Sequence, residues 1–140
     1  MRIVVGADDE GAVVETVVGE LRSRGHEVTV LERERWPEVA ARVARAVATG
    51  DADQGVLFCW TGTGTSMAAN KVPGVRAALA WDAWIAEGAR RWNDANVLVL
   101  SLKRTSPETA REIVDAWLSV EAPDPDEAAN IARLAELDGR

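Results

Sequence analysis

The sequence is short of the residues that staple or metallate small proteins. Its 140 residues include one cysteine, Cys59, and one histidine, His26. A lone cysteine excludes a disulfide within the chain and any multi-cysteine metal or iron–sulfur site, and it suits a reducing compartment. A lone histidine excludes a multi-histidine metal cluster. Tyrosine is absent and phenylalanine occurs once, which leaves six tryptophans as nearly all of the aromatic content. Positive charge is also scarce. Sixteen basic against 23 acidic side chains give a net charge of −7, a surface that repels phosphate backbones and anionic lipid, so neither nucleic acid nor membrane is expected as a partner. No apolar run reaches the length of a membrane span, and the opening MRIVVGADDEG passes from a strand-like run straight into acid rather than into the apolar stretch of a signal peptide. The expectation is a soluble, cytoplasmic protein with a small-molecule substrate or a protein partner. At 15.1 kDa, with 47% hydrophobic and 28% charged residues, residues 1–140 make one globular domain.

Hydrophobic periodicity alternates along the chain. Arg2 to Gly6 is a short β-branched run, followed by a helix-period segment from Ala12 to Ser23 that Arg24-Gly25 stops. Glu27 to Leu31 reads as a second strand, and Trp36 to Thr49 places Val39, Val43, Ala46 and Val47 at helical spacing before Gly50. Gln54 to Cys59 reads as a fully buried third strand, Ser66 to Asn70 as a short helix, and Arg76 to Ala80 as a fourth strand. Helix Asp82 to Arg91, strand Val97 to Ser101 and helix Ser106 to Leu118 complete five strand–helix pairs. Near-continuous apolar strands alternating with helices predict a doubly wound α/β sandwich, a parallel sheet covered on both faces. Beyond the turn-rich, acidic segment that begins at Glu121, a last amphipathic helix from Asp126 to Leu137 presents Ile131, Leu134 and Leu137. It docks either on its own domain or on a second subunit.

Ligands of open parallel sheets bind beyond the carboxyl ends of the strands, where the winding reverses. Those ends carry Asp8 and Asp9, the segment Cys59 to Thr65, Trp81 and Asp82, and Ser101 to Arg104. In Cys59-Trp60-Thr61-Gly62-Thr63-Gly64-Thr65-Ser66, two glycines and the start of a helix let several N–H groups converge on one oxygen anion. The run is neither a dinucleotide fingerprint nor a phosphate-binding P-loop, since it lacks the third glycine and the lysine. Cys59 beside such a cradle is a candidate reactive thiol rather than a buried spacer.

Several runs carry a family likeness: Gly55-Val-Leu-Phe-Cys59, Thr61-Gly-Thr-Gly64, Ser66-Met-Ala-Ala-Asn-Lys-Val-Pro-Gly-Val-Arg-Ala-Ala-Leu79, Asn93-Asp-Ala-Asn-Val-Leu98 and Ile113-Val-Asp-Ala-Trp-Leu118. Over nearly the whole chain the sequence resembles the ribose-5-phosphate isomerase B family, which includes the galactose-6-phosphate isomerase subunits. The resemblance implies a Rossmann-like five-stranded α/β/α sandwich and a homodimer, sometimes a dimer of dimers, with each active site built from both subunits and the C-terminal helix at the dimer interface. It implies an aldose–ketose isomerisation without metal or cofactor, in which a base moves a proton between adjacent carbons through an enediolate held by backbone amides. Such a reaction needs a base within reach and preorganised donors for the developing oxyanion. By the same resemblance Cys59 is the base and Thr61 its hydroxyl support. Gly62, Thr63, Gly64, Thr65 and Ser66 form the cradle, while Asp8 and Asn93 bind sugar hydroxyls. In a second branch of the family a glutamate base stands at the place of Thr65, so this chain looks like the cysteine branch.

The departures bear on substrate. The family's Asp-His-x-Gly reads here Asp8-Asp9-Glu10-Gly11, and its Glu-His-Asn-Asp reads Arg91-Trp92-Asn93-Asp94. The glycine after the cysteine is Trp60, the tyrosine before proline is Trp36, and an arginine after the fifth strand is Lys103. The Gly-Arg-His-x-x-Arg phosphate clamp is replaced by Pro125-Asp126-Glu127-Ala-Ala-Asn130. Losing charged hydrogen bonds worth about 1.5–3 kcal/mol each should weaken a phosphate dianion severely. Trp36, Trp60 and Trp92 would make the pocket smaller and more apolar. The expected enzyme is therefore a divergent sugar isomerase acting on a non-phosphorylated or partly apolar substrate, with Asp9 as a catalytic or cation-binding group or only an acid at a helix start. Two alternatives stay open: a catalytically silent partner subunit or ligand-binding module, and an orthodox sugar-phosphate isomerase whose cations come from Lys103 and Arg104 or from Arg90 and Arg91 across a dimer. Trp81, Trp84 and Trp117 are expected in core or interface packing. His26 is expected to be structural, at the far end of the sheet. Arg22, Arg24, Arg33, Arg35, Arg42 and Arg45 are expected on a solvated face, and Lys71 and Arg76 to set loop or interface geometry.

Overall fold

A computed structural model describes residues 1–139. Five parallel strands form one sheet in the order β2-β1-β3-β5-β4. They are β1 (Arg2–Ala7), β2 (Glu27–Val30), β3 (Gln54–Cys59), β4 (Ala77–Leu79) and β5 (Val97–Ser101). The helices between and after them are α1 (Ala12–Ser23), α2 (Trp36–Ala48), α3 (Thr63–Ala69), α4 (Ala83–Asn93), α5 (Pro107–Ser119) and α6 (Ala128–Asp138). The predicted doubly wound architecture is the observed one. No helix among the described residues is long and apolar enough to cross a membrane.

Side chains alternate across each strand, and the alternation sorts the core into two layers. Ile3, Val5, Val56, Phe58, Leu98 and Leu100 meet α1, α4 and α5 on one face. Val4, Leu57, Val97 and Val99 meet α2 and α3 on the other. On that second face the helix lies very close to the sheet. A Cβ added at Gly6 would stand 2.6 Å from the Val39 side chain, and one at Gly55 would stand 2.5 Å from Val43, so both positions admit only glycine without displacing α2. On the first face Trp117 is buried, donates from Nε1 to Gln54 Oε1 at 2.8 Å, and carries the Arg90 guanidinium over its ring at 5.5 Å.

Several expectations change in detail. The sheet is not covered evenly: three of the four residues of β2 are exposed. β2 is an edge strand whose run Glu-Val-Thr-Val already alternates charged or polar with apolar residues, a half-buried pattern rather than a buried one. The third helix begins at Thr63, not Ser66, so the cradle is itself the first turn of α3. Glycines and β-branched threonines are poor helix formers, which hides that turn from a propensity reading. Trp81 and Trp84 are exposed; only Trp117 lies in the core. The last helix is preceded by a short 3-10 turn, Pro125–Glu127. Within the chain, α6 lies over the β4 edge: Leu134 and Leu137 line a cleft there with Ala77 and Asn93, and Asp138 Oδ2 accepts from Gly74 N–H at 2.9 Å. None of its residues is fully buried. His26 stands at the far end of the sheet, as expected, with Nδ1 3.0 Å from the N-terminal amine.

Candidate active site

The chain runs from β1 through α1 to the edge strand β2 in one direction, and from β3 to β4 and β5 in the other. The reversal lies between β1 and β3, where crossovers depart to opposite sides and leave a crevice at the strand ends. Asp8 and Cys59 stand at the two lips of that crevice, because Asp8 N–H continues the pairing of β1 with β3 by donating to Phe58 C=O at 3.3 Å.

Cys59 is 5% exposed. Its Sγ accepts from Gly62 N–H at 3.2 Å and lies 3.3 Å from Thr65 Oγ1. This tight turn depends on Gly62, which caps α3 in the left-handed region at φ 83°. A Cβ there would meet Leu79 Cδ1 at 2.5 Å. The amides of the turn are not all available to a ligand. Gly62 N–H serves the sulfur, Thr63 N–H bonds Thr61 Oγ1 at 3.3 Å, and Ser66 N–H bonds Gly62 C=O at 3.1 Å. That leaves the N–H groups of Gly64 and Thr65, which belong to the helix's first turn and have no acceptor behind them. The predicted cradle is thus narrower than a five-residue ring of donors. Thr61 and Thr63 join hydroxyl to hydroxyl at 2.7 Å at its exposed rim.

The other walls come from three loops. Trp36, the first residue of α2, lays its ring against Gly64, where a Cβ would stand 3.0 Å from Cε3. It also closes a cleft of about 440 Å3 with Asp8, Arg35, Pro37 and Glu38. Trp60 is exposed; its Nε1 donates to Asp9 Oδ2 at 3.0 Å, and Lys103 Nζ lies 4.7 Å from the centre of its ring. Ser101 locks these loops together. Its Oγ donates to Trp60 C=O at 2.6 Å and accepts from Arg104 N–H at 3.0 Å, while Leu102 N–H bonds Cys59 C=O at 2.8 Å. On the outer side of β1, Asp9 and Glu10 rim a groove of about 570 Å3 floored by Val5, Val14, Val30 and Leu31.

The two neighbouring acids differ electrostatically. Burial pushes the Asp8 carboxyl above the usual carboxylate range, and the charge of Asp9 adds to the effect; its Oδ1 is buried without a partner in the protein. Asp9 is held below that range, first by the Trp60 indole and then by Glu10 N–H, with Lys103 contributing. The two adjacent carboxyls are thus shifted in opposite directions by their surroundings.

Of the predicted site residues, the chain brings together Asp8, Asp9, Trp36, Cys59, Trp60, Thr61, the turn from Gly62 to Ser66, and Lys103. It does not bring Trp92 or Asn93 to them. Both lie at the end of α4, beside the start of β5, and in a parallel sheet the end of a crossover helix is at the opposite edge from the strand carboxyl ends. Trp92 instead packs on Gly88, where a Cβ would stand 2.7 Å from its ring, and against Trp84 at 5.6 Å between centroids. Arg90 is equally remote. It is 8% exposed and donates to Ala95 C=O at 2.7 Å, so it is no spare cation. Arg35 is a solvated charge, as expected, at the open edge of the Asp8 cleft, paired with Glu38 at 3.1 Å. Arg33 and Arg42 are surface cations, as expected, and each is paired with a glutamate.

The sequence profile described as Ribose/Galactose Isomerase matches residues 3–136. Ribose-5-phosphate isomerase B of Escherichia coli (strain K12) is 40% identical over 126 residues, 86% of this chain and 85% of that protein. D-erythrulose-4-phosphate isomerase of Pectobacterium atrosepticum is 37% identical over 128 residues, 86% of this chain and 84% of that protein. Among solved structures, Clostridium thermocellum ribose-5-phosphate isomerase B superposes with a TM-score of 0.93 at 35% identity, covering 99% of this chain and 98% of that one. The Mycoplasma genitalium ribose-5-phosphate isomerase B with bound ribulose-5-phosphate gives 0.89 at 30% identity, covering 99% and 97%. On the profile match over residues 3–136 and the likeness to these relatives, the chain belongs to the ribose/galactose isomerase family.

Proposed function

We propose that this chain is an aldose–ketose isomerase of the cofactor-independent type, with Cys59 as the base that moves a proton between the two carbons of an enediolate. The observation that carries the reading is the setting of the Cys59 sulfur: at the winding reversal, with two donors on it and the free amides of Gly64 and Thr65 in the same turn. In the forward step the sulfur takes the proton from the carbon next to the carbonyl. The oxygen charge that develops is met by the free amides, and the same proton returns to the neighbouring carbon. Donors already fixed in place stabilise that charge without reorganisation. Asp8, with its Oδ1 buried and unpartnered, offers a hydrogen bond to a substrate hydroxyl.

The substrate is a non-phosphorylated or partly apolar carbonyl sugar or polyol. Two departures from the family pattern, Asp9 and Trp60, hydrogen-bond each other, and the Asp9 carboxylate they hold at the mouth repels a phosphate dianion. The neighbouring groove has an apolar floor. A homodimer completes the site: a second copy would supply the partner's Trp92 and the partner's Asn93, which one chain keeps at the far edge of the sheet.

Solvent-deuterium exchange at the carbon next to the carbonyl, followed by NMR with D-ribose, D-ribose 5-phosphate and more apolar deoxy analogues, tests both parts. Exchange of a non-phosphorylated sugar at least as efficient as that of the ester is expected, with a loss of about 100-fold or more in Cys59→Ser. Undiminished exchange in Cys59→Ser rejects the base. A second reading, an orthodox sugar-phosphate isomerase, is favoured by Lys103 standing over Trp60; a strong preference for the ester, lost in Lys103→Met, selects it instead. Absence of exchange alone but restoration by a related subunit would mark a silent partner.

A further inference from the structure

Thr65 is fully buried, and its hydroxyl faces two groups at once. Oγ1 is 3.3 Å from Cys59 Sγ and 3.3 Å from the Gly62 carbonyl oxygen. A hydroxyl has one proton, so it cannot donate to both. When Cys59 carries its proton, the S–H can point to Thr65 Oγ1 while the Thr65 proton satisfies Gly62 C=O. When the sulfur has lost its proton it needs donors, and the Thr65 O–H can turn to it and join the Gly62 N–H at 3.2 Å. A single rotation about the Cβ–Oγ1 bond thus satisfies both states, with no heavy atom moving. Complete burial holds the side chain in place, and the first turn of α3 fixes the backbone. Among the described residues, Thr65 supplies the only side-chain donor on the sulfur.

We propose that Thr65 is the positioning residue of the proton transfer, its hydroxyl alternating between the Gly62 carbonyl and the Cys59 sulfur as the sulfur loses and regains its proton. This rests on Cys59 being the base. The bond to Gly62 alone would be an ordinary hydroxyl-to-backbone contact of a helix start; the bond to sulfur gives it a role that follows the reaction.

Cys59 is the sole cysteine, so the ultraviolet absorbance of a thiolate, read against Cys59→Ser as blank, reports on this sulfur alone. Thr65→Val keeps the shape and removes the hydroxyl. The ionised fraction at a given pH below the midpoint should fall about tenfold, an upward move of about one pH unit in the titration midpoint, and Thr65→Ser should restore most of it. Exchange activity should fall in parallel at low pH and recover at high pH with KM unchanged. A folded Thr65→Val protein with the wild-type midpoint overturns the proposal, as does a Thr65→Ser protein that titrates like Thr65→Val. If Thr65→Val does not fold, Thr65→Ala is titrated in the same way, with the same two outcomes. Failure of the isomerase reading is seen separately, as a Thr65→Val midpoint that moves as stated while the wild-type protein exchanges no sugar proton.

Discussion

Gly62→Ala offers a quantitative check on the turn that presents Cys59. At φ 83° a residue with a Cβ loses about 1–2 kcal/mol relative to glycine from left-handed crowding alone. The added methyl would also stand 2.5 Å from Leu79 Cδ1 and 3.4 Å from the Leu100 carbonyl carbon. The backbone cannot yield without breaking β5, so Leu79 must leave its rotamer, at about 0.5–1.5 kcal/mol. The sum is about 1.5–3.5 kcal/mol, which for a domain of this size lowers Tm by about 5–14 °C. Gly19→Ala is the matched control. Gly19 lies inside α1 with nothing within 4 Å of an added Cβ, so alanine there should stabilise by about 0.5–1 kcal/mol through helix propensity. Thermal melts of both variants beside the wild type decide the matter. Opposite shifts of these sizes are expected, and a Gly62→Ala protein that melts within a degree or two of the wild type would refute both the conformation assigned to Gly62 and the rigidity assigned to the Cys59 turn.

Two further outcomes follow from buried polar groups. Trp117→Phe should destabilise by about 1–3 kcal/mol because it strands the buried Gln54 oxygen; in urea denaturation, Trp117→Phe/Gln54→Leu should recover part of that loss, and simple additivity of the two variants would contradict the hydrogen bond. Asp8→Asn should stabilise the protein at neutral pH but not in acid. The folded Asp8 carboxyl binds its proton more tightly than the ordinary value of 3.8, so the wild type loses stability as pH rises through the raised value, while the amide does not titrate. Melting curves of both proteins should coincide below that ordinary value and separate above it; a constant gap at all pH values would show that burial of the carboxyl is not its cause.

The sequence determined the architecture because its signals are local. Runs such as Gln54 to Cys59 state their own burial, the helix periods state which face is apolar, and Gly25 and Gly50 mark the helix ends. Strand ends in an open parallel sheet are sites by topology, so Asp8, Cys59 and Lys103 were legible as neighbours before any coordinates. The family strings carried the assignment of roles.

What only the tertiary structure decided is where side chains from separate segments meet. The pairing of Asp9 with Trp60, the contact of Lys103 with the Trp60 ring and the locking of two loops by Ser101 join residues whose sequence separation gave no warning. The largest separation within one chain, Trp92 and Asn93 lying at the opposite edge from Cys59, has a simple physical reason. The α4 helix crosses the sheet from the end of β4 to the start of β5, so a residue at its end is carried the length of the sheet away, and no pattern in a one-dimensional string records that displacement.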